Sequence, residues 1–413
     1  MSTPFYDLAS LVLVPSGYKA SKVYAQKPLT TDGQLTFSRA STATRVNASG
    51  LIETVSSNVP RLDYLGSTCP KLQLEPSRTN LALASSDFAN VYWEKGGAAT
   101  ITSNTVVSPD GTQNADTLTA NGTGAIFARA VVYLATTQVC TNSVFVKKAN
   151  HRYVGFRNSG SVSNHDVFDF DTKTWTNNSG ATLSYDELGN GWFRLKSTNI
   201  DTVNGNYYWS VIPAVNTSGL ETTTASNLSV YIWGAQAEQN AAYTTSYIPT
   251  TSAAVTRLAD TYQKGGFGNT STAGTFFCEF VATRITSDNG MYLYGMGVGT
   301  TDTLGSSYAT NTGSLSIIAN GPTLQGRNNG YGTNLFSLTP TAGATVKIAI
   351  RYDGTNVVAF VNGVKQTVYT DNAVGVKNFI RVNNGEQSSH ATKQLLFFPT
   401  ALTDAQAIEL TTL

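Results

Sequence analysis

The chain has 413 residues, of which 41% are apolar and only 13% charged, with a formal net charge of +1 and basic residues scattered along its length. That balance excludes the electrostatic footprint of a nucleic-acid or anionic-membrane binder, and the length leaves room for two or three domains. The cysteines, Cys69, Cys140 and Cys278, are too far apart for a Cys-x-x-Cys metal or redox site, and three thiols cannot all pair in disulfides.

The chain opens with the apolar run LASLVLV, Leu8 to Val14. It is too short to span a bilayer and no positive charge precedes it, so it is predicted to be a strand. The rest of residues 1–80 has weak hydrophobic periodicity and is punctuated by Arg39, Arg45, Arg61 and Arg78. Such a segment makes a poor core alone, and it is expected to form an N-terminal module that packs against later domains or a partner.

Residues 81–250 are predicted to form a second domain. All five tryptophans lie between Trp93 and Trp233, and the stretches SVFVKK, RYVGF, HDVFDFD, GWFRLK, NYYWSVIP and NLSVYIWGAQ are separated by Asn/Gly/Ser turns. That is the pattern of a sandwich or jelly roll. Ser246 to Asp260 reads as an exit strand and linker. In residues 251–413, VKIAIRYDGTNVVAFVNGVKQTVYT contains an Asp353-Gly354 and an Asn362-Gly363 turn, which predicts three successive antiparallel strands. Thr403 and Gln406 have capping-box spacing for one short terminal helix. The fold class expected is all-β, with tandem sandwiches.

Catalytic patterns are sparse. His151, His165 and His390 have no metal-ligand spacing and read as satisfied surface residues. Asp169 and Asp171 share a strand face beside a hairpin, a polar turn more readily than a cation site. GMGVGT, Gly295 to Thr300, lacks the lysine and helix of a phosphate cradle. There is no G-x-S-x-G elbow, and sequence alone does not pair the carboxylates a glycosidase needs. The chain is therefore not expected to be an enzyme.

Glycan binding by aromatic rings is the alternative chemistry. Parity sets Trp192 opposite Phe193 and Leu195, and sets Tyr231 and Trp233 opposite Val230 and Ile232, so these three rings are expected to face outward. Trp175, beside Asn177 and Asn178 at a hairpin, is expected to be exposed. Tyr292, Tyr294, Arg327, Asn328 and Tyr331 are comparable candidates in the last domain.

Several unusual strings occur in order: SLVLVPSGYKASKVYAQKP, FSRASTATRVNASGLIE, NVPRLDYLGSTCPKLQLEPSRTNLALASSDF and YIWGAQAEQNAAYTTSYIPTTSAAVTRLAD. Over roughly residues 8–260 they resemble a recurrent series in tailed-bacteriophage virion proteins, the tail or head fibres and appendages. VKIAIRYDGTNVVAFVNG and LFFPTALTDAQAIEL resemble the concanavalin-like (laminin G-like) fold, and the middle domain resembles carbohydrate-binding jelly rolls.

The resemblance implies an attachment module followed by two lectin-like sandwiches. It implies a homo-oligomer, with a trimer favoured, on the surface of a particle assembled in the host cytoplasm, having other virion proteins and bacterial surface polysaccharide as partners and no membrane insertion. Arg39, Arg45, Arg61 and Arg78 would then be structural, paired with carboxylates such as Asp63 or Glu75. No cofactor is implied. Calcium, held by clustered carboxylates in lectin-like relatives, meets only scattered ones here, such as Asp302 and Asp353. Two rival readings are a purely structural decoration protein and a glycan depolymerase.

Overall fold

The structure is a computed structural model that describes residues 5–19, 21–29, 33–97, 99–121, 127–134, 138–157, 165–201, 205–213, 215–219, 226–266, 269–284, 291–298, 314–328, 333–370, 375–382 and 389–413. The regular structure of the described chain is almost entirely antiparallel β-strand, with short helices at Phe5–Leu8 and Asp404–Thr411. It divides into two compact units, each built from separated pieces of sequence. The first takes Met1–Thr42, Val55–Ser77 and Leu258–Leu413; the second takes Ala43–Thr54 and Arg78–Arg257.

The first unit is a sandwich. One sheet runs in the order 364–370, 356–361, 345–352, 274–284, 389–398, 71–74 and 62–63, with Leu11–Leu13 also paired to the 389–398 strand. The other sheet is built on strands 34–38, 261–265, 377–382, 291–298, 315–320, 323–328 and 334–338, with two short strands beyond its first edge. Phe276, Cys278, Phe280, Leu395 and Phe397 meet Phe37, Tyr262, Tyr294, Met296 and Ile380 in the core between them. Alternation sends Phe277, Ala349, Val358 and Phe360 to the back of the first sheet, where Ala407 and Leu410 of the terminal helix cover them.

That helix begins as its sequence signature requires. The Thr403 hydroxyl accepts from the Gln406 backbone and Gln406 reaches back to the Thr403 amide. Arg351 and Lys365 both donate to Asp404 in its first turn, each at 2.6 Å.

Residues 1–80 do not form the separate module expected. Leu11, Leu13, Val23, Leu35, Phe37, Leu62, Leu72 and Leu74 all enter the first unit's core, whereas Ala43–Thr54 belongs to the second unit. Strands of two to five residues cannot bury a face of their own; Leu11–Leu13 and Lys71–Leu74 are completed by the Ser389–Phe398 strand and Gln34–Ser38 by Thr261–Gly265.

The second unit pairs a sheet of strands 94–96, 127–134, 205–212, 153–157, 166–169 and 174–176 with one of strands 99–106, 115–121, 226–239, 138–148, 192–201 and 182–187. All six quoted central stretches contain a strand. Trp93, Trp209, Phe156, Phe168, Phe193, Val144 and Ile232 fill the core between the sheets. Trp93 and Trp209 meet edge to face with centroids 5.5 Å apart.

Two of the histidines are not surface residues: His165 is buried in the second unit and His390 in the first. The His390 ring centroid is 5.1 Å from that of Tyr294 and 5.7 Å from that of Phe280, and neither ring nitrogen has a hydrogen-bond partner among the described residues. Burial pushes its pKa down to about 3, so the fold holds it neutral while the unfolded chain takes up the proton below ~6.5. Stability is therefore full above that pH and declines as the pH falls toward 3. Denaturant titration should show a His390-dependent loss of about 2 kcal/mol between pH 7 and pH 5. His390→Leu should remove that component, and an unchanged slope in the variant would contradict the assignment.

Candidate functional site

The arginine-punctuated strings converge on one buried charge network in the first unit. Arg39 follows the Gln34–Ser38 strand and Arg61 precedes Leu62–Asp63; Glu75 follows Lys71–Leu74, and Asp260 precedes Thr261–Gly265. All four residues are buried. Arg39 Nη1 donates to Asp260 Oδ1 at 2.9 Å, Arg61 Nη1 to Glu75 Oε2 at 2.8 Å, and Arg61 Nη2 to Asp260 Oδ2.

The backbone completes the set. Arg39 also donates to the carbonyls of Ser41, Val59 and Ser56, and Asp260 Oδ2 accepts from the Glu75 amide at 3.0 Å. Burial lowers the Arg61 pKa, but the charges of Asp260 and Glu75 outweigh it and the net shift is upward. The network is structural, with charged groups retained because they are paired.

Of the other residues expected to pair, Arg45 meets Glu53 at 2.6 Å across the two-stranded sheet of Ala43–Val46 and Ile52–Val55, and Arg78 lies over the Tyr243 ring. Asp63 accepts from the Leu65 amide in a turn. Asp260 was not foreseen as a partner: it is the carboxylate in TRLAD, and nothing local ties it to arginines some two hundred residues earlier.

A second polar network fixes the end of the other unit's long Ser226–Gln239 strand. Asn80 donates to the carbonyls of Ala235 and Ile248 and accepts from the amides of Ala82 and Ala237. Glu238 accepts from the Thr245 amide and hydroxyl. Gln236 accepts from the Ile248 amide at 2.6 Å, and Ser85 bonds the Tyr247 hydroxyl at 2.7 Å.

These bonds hold residues 243–250 over the outer face of the sheet, and Trp192 and Trp233 are buried beneath, correcting their expected exposure. Both rings do lie opposite the sandwich core, as parity requires. A second cluster of Ile52, Ala115, Phe145 and Tyr247 covers them. Trp192 Nε1 donates to the Val107 carbonyl at 3.1 Å, and Tyr247 stands 4.9 Å from Trp233. A bulge at Gly234, φ +63°, keeps the rings in place: a Cβ there would come within 2.7 Å of Phe145.

Tyr231 lies at the border of this cluster and is half-buried. Register aligns Thr102, Thr117, Tyr231, Lys147 and Trp192 in one row across five strands. Thr100, Thr119 and Ser229 form the next row. Thr100 and Thr102 are exposed, and Thr117, Thr119, Tyr231 and Lys147 are half-buried. The result is a polar sheet surface with one partly exposed aromatic ring. Its threonines and Lys147 escaped notice because cross-strand register is invisible to local pattern, although Lys147 shares parity with Phe145 rather than with Val144.

The remaining candidates do not gather. Trp175 is half-buried on an edge strand, packed 5.3 Å from Phe168, which corrects its expected exposure. Tyr294 is a core residue, bonded to Thr392 at 2.9 Å. Tyr292 lies in the Met291–Val298 strand. Arg327 donates to Gln325 at 2.5 Å, and buried Asn328 donates to the Thr370 carbonyl. Tyr331 and Asp302 lie outside the described residues. Asp169 pairs with Arg152 and Asp171 with Lys148. Among the described residues, no group of three or more His, Cys, Asp or Glu is placed to hold a metal ion.

No known protein family and no curated protein matches the chain by sequence. Solved structures with likeness to it include the IT-sialidase CBM40 of Ruminococcus gnavus bound to α2,3 sialyllactose, at 14% identity and TM-score 0.26, covering 35% of this chain and 84% of that one. Domain 4 of AbnA, a GH43 extracellular arabinanase of Geobacillus stearothermophilus in complex with arabinotriose, is 14% identical with TM-score 0.27, covering 41% and 82%. A heptameric SAP-like pentraxin of Limulus polyphemus is 11% identical with TM-score 0.25, covering 34% and 70%.

Two stability measurements check this account. Asp260→Ala strands two buried guanidinium groups and should cost about 3–5 kcal/mol, whereas Lys365→Ala, at an exposed pair with Asp404, should cost less than about 1 kcal/mol. Equal costs would mean the network is not a framework. Trp233→Ala should lose about 3–5 kcal/mol as a core truncation, and a Trp233→Ala protein as stable as the parent would contradict the cover seen over it.

Proposed function

We propose that the chain is a tailed-bacteriophage virion appendage, a tail or head fibre component, which binds glycans of the host surface without cleaving them. The observation that carries the binding part is the Tyr231 surface. A half-exposed ring, whose hydroxyl makes no hydrogen bond among the described residues, stands in line with threonine hydroxyls and an ammonium on a rigid sheet. Sugar C–H groups lie against such a ring while hydroxyls bond the rim.

The virion part is supported by the resemblance of the strings that build the two buried polar networks. In this reading they are the framework that presents the sheet. A single shallow contact is weak, and a homo-oligomer repeated on one particle raises avidity by ~10²–10⁴. A purely structural role, with both sandwiches contacting other virion proteins, is the second reading. It is favoured by the burial of Trp192, Trp233 and Tyr294.

The native protein should bind a subset of immobilised bacterial surface polysaccharides saturably and release no reducing ends. Tyr231→Ala should weaken that binding about tenfold or more while the protein still melts cooperatively, with the modest loss of stability due to a half-buried ring at the cluster's border. Absence of binding to every polysaccharide, with the protein present in purified particles, would establish the structural reading instead. Steady release of reducing ends would make it a depolymerase.

A further inference from the structure

The second unit contains five lysines, and four of them are engaged. Lys148 pairs with Asp171, Lys173 with Glu187 and Lys196 with Asp186, and Lys95 donates to the carbonyls of Ala89 and Asn90. The Lys147 ammonium has no ion pair and no hydrogen bond among the described residues. It stands between Tyr231 and Trp192 in their shared row of the sheet, and its stem passes over Gly191, where a Cβ would lie 3.7 Å from its Cε. Neither that row nor the row of Thr100, Thr119 and Ser229 contains a carboxylate, and the row on the other side, through Phe145 and Arg194, ends in Asp186, which is paired with Lys196.

We infer that this surface selects anionic sugars, with Lys147 receiving a carboxylate or phosphate of a residue stacked on Tyr231. The inference rests on the glycan-binding reading above and adds the ligand's charge. Directly opposed residues on one sheet face have Cβ atoms roughly 5 Å apart, so a sugar lying on the Tyr231 ring presents its acidic substituent within reach of the neighbouring ammonium. Lysine suits this contact because its long stem carries a compact charge that adapts to the geometry of the acid. With no carboxylate in either row to neutralise it, an acidic sugar brings the missing counter-charge.

The test uses the full-length native protein and a panel of uronate- and sialate-bearing bacterial polysaccharides, each paired with its carboxyl-reduced form. At least one acidic member should bind, about tenfold more tightly than its reduced counterpart. Lys147→Gln should abolish that preference while Lys147→Arg retains it. Binding by the parent should weaken between about 0.05 and 0.5 M salt, and the Lys147→Gln protein should lose that dependence.

Equal affinity for acidic and reduced forms, or a preference that survives in Lys147→Gln, would overturn the inference and leave the glycan-binding reading intact. No binding to any member of either form would overturn both. A melting curve for each variant separates loss of binding from loss of fold.

Discussion

Two guanidinium groups and two carboxylates, all withdrawn from water, fix the architecture of the first unit. Each ion costs several kcal/mol to bury, and the cost is offset only when every partner is in place. Arg39, Arg61, Glu75 and Asp260 have equal numbers of each sign, and Arg39 and Asp260 reach backbone groups as well. A partial assembly is therefore worse than none, which makes the arrangement all-or-none.

The position of those residues in sequence explains their importance. The chain passes between the units after residues 42, 54, 77 and 257, and one of the four charges stands near each passage. The strings FSRASTATRVNASGLIE, NVPRLDYLGSTCPKLQLEPSRTNLALASSDF and YIWGAQAEQNAAYTTSYIPTTSAAVTRLAD lie at or beside the same places. Their repeated arginines fasten the points where the backbone leaves and re-enters one sandwich, which accounts for a segment with little hydrophobic periodicity of its own.

Much of the β-structure was legible because it depends on local chemistry: alternation in VKIAIRY, the left-handed Asn362 and Gly363 of a tight hairpin turn, and the Thr403 cap. What was illegible depends on distance. Parity correctly assigned Trp192 and Trp233 to a face, but whether a face is wet is decided by residues 43–54 and 243–250, which parity does not see. Asp260 could not be matched with Arg39 across 221 residues. His390 resembled any isolated histidine until its neighbours on two facing sheets were known.

The Leu11–Leu13 strand pairs with Leu395–Phe397, about 380 residues further on. At the ~5–20 residues per second of translation, its partner is not synthesised until roughly 20 to 80 s after the strand itself. For that interval the side of the strand that pairs with Leu395–Phe397 is unclaimed, although Val12 can already bond Gln26 and Lys27, in a chain whose central part is free to fold. The pairing is thus also a timing problem: this strand must be kept from other partners on the ribosome until Leu395–Phe397 has been made.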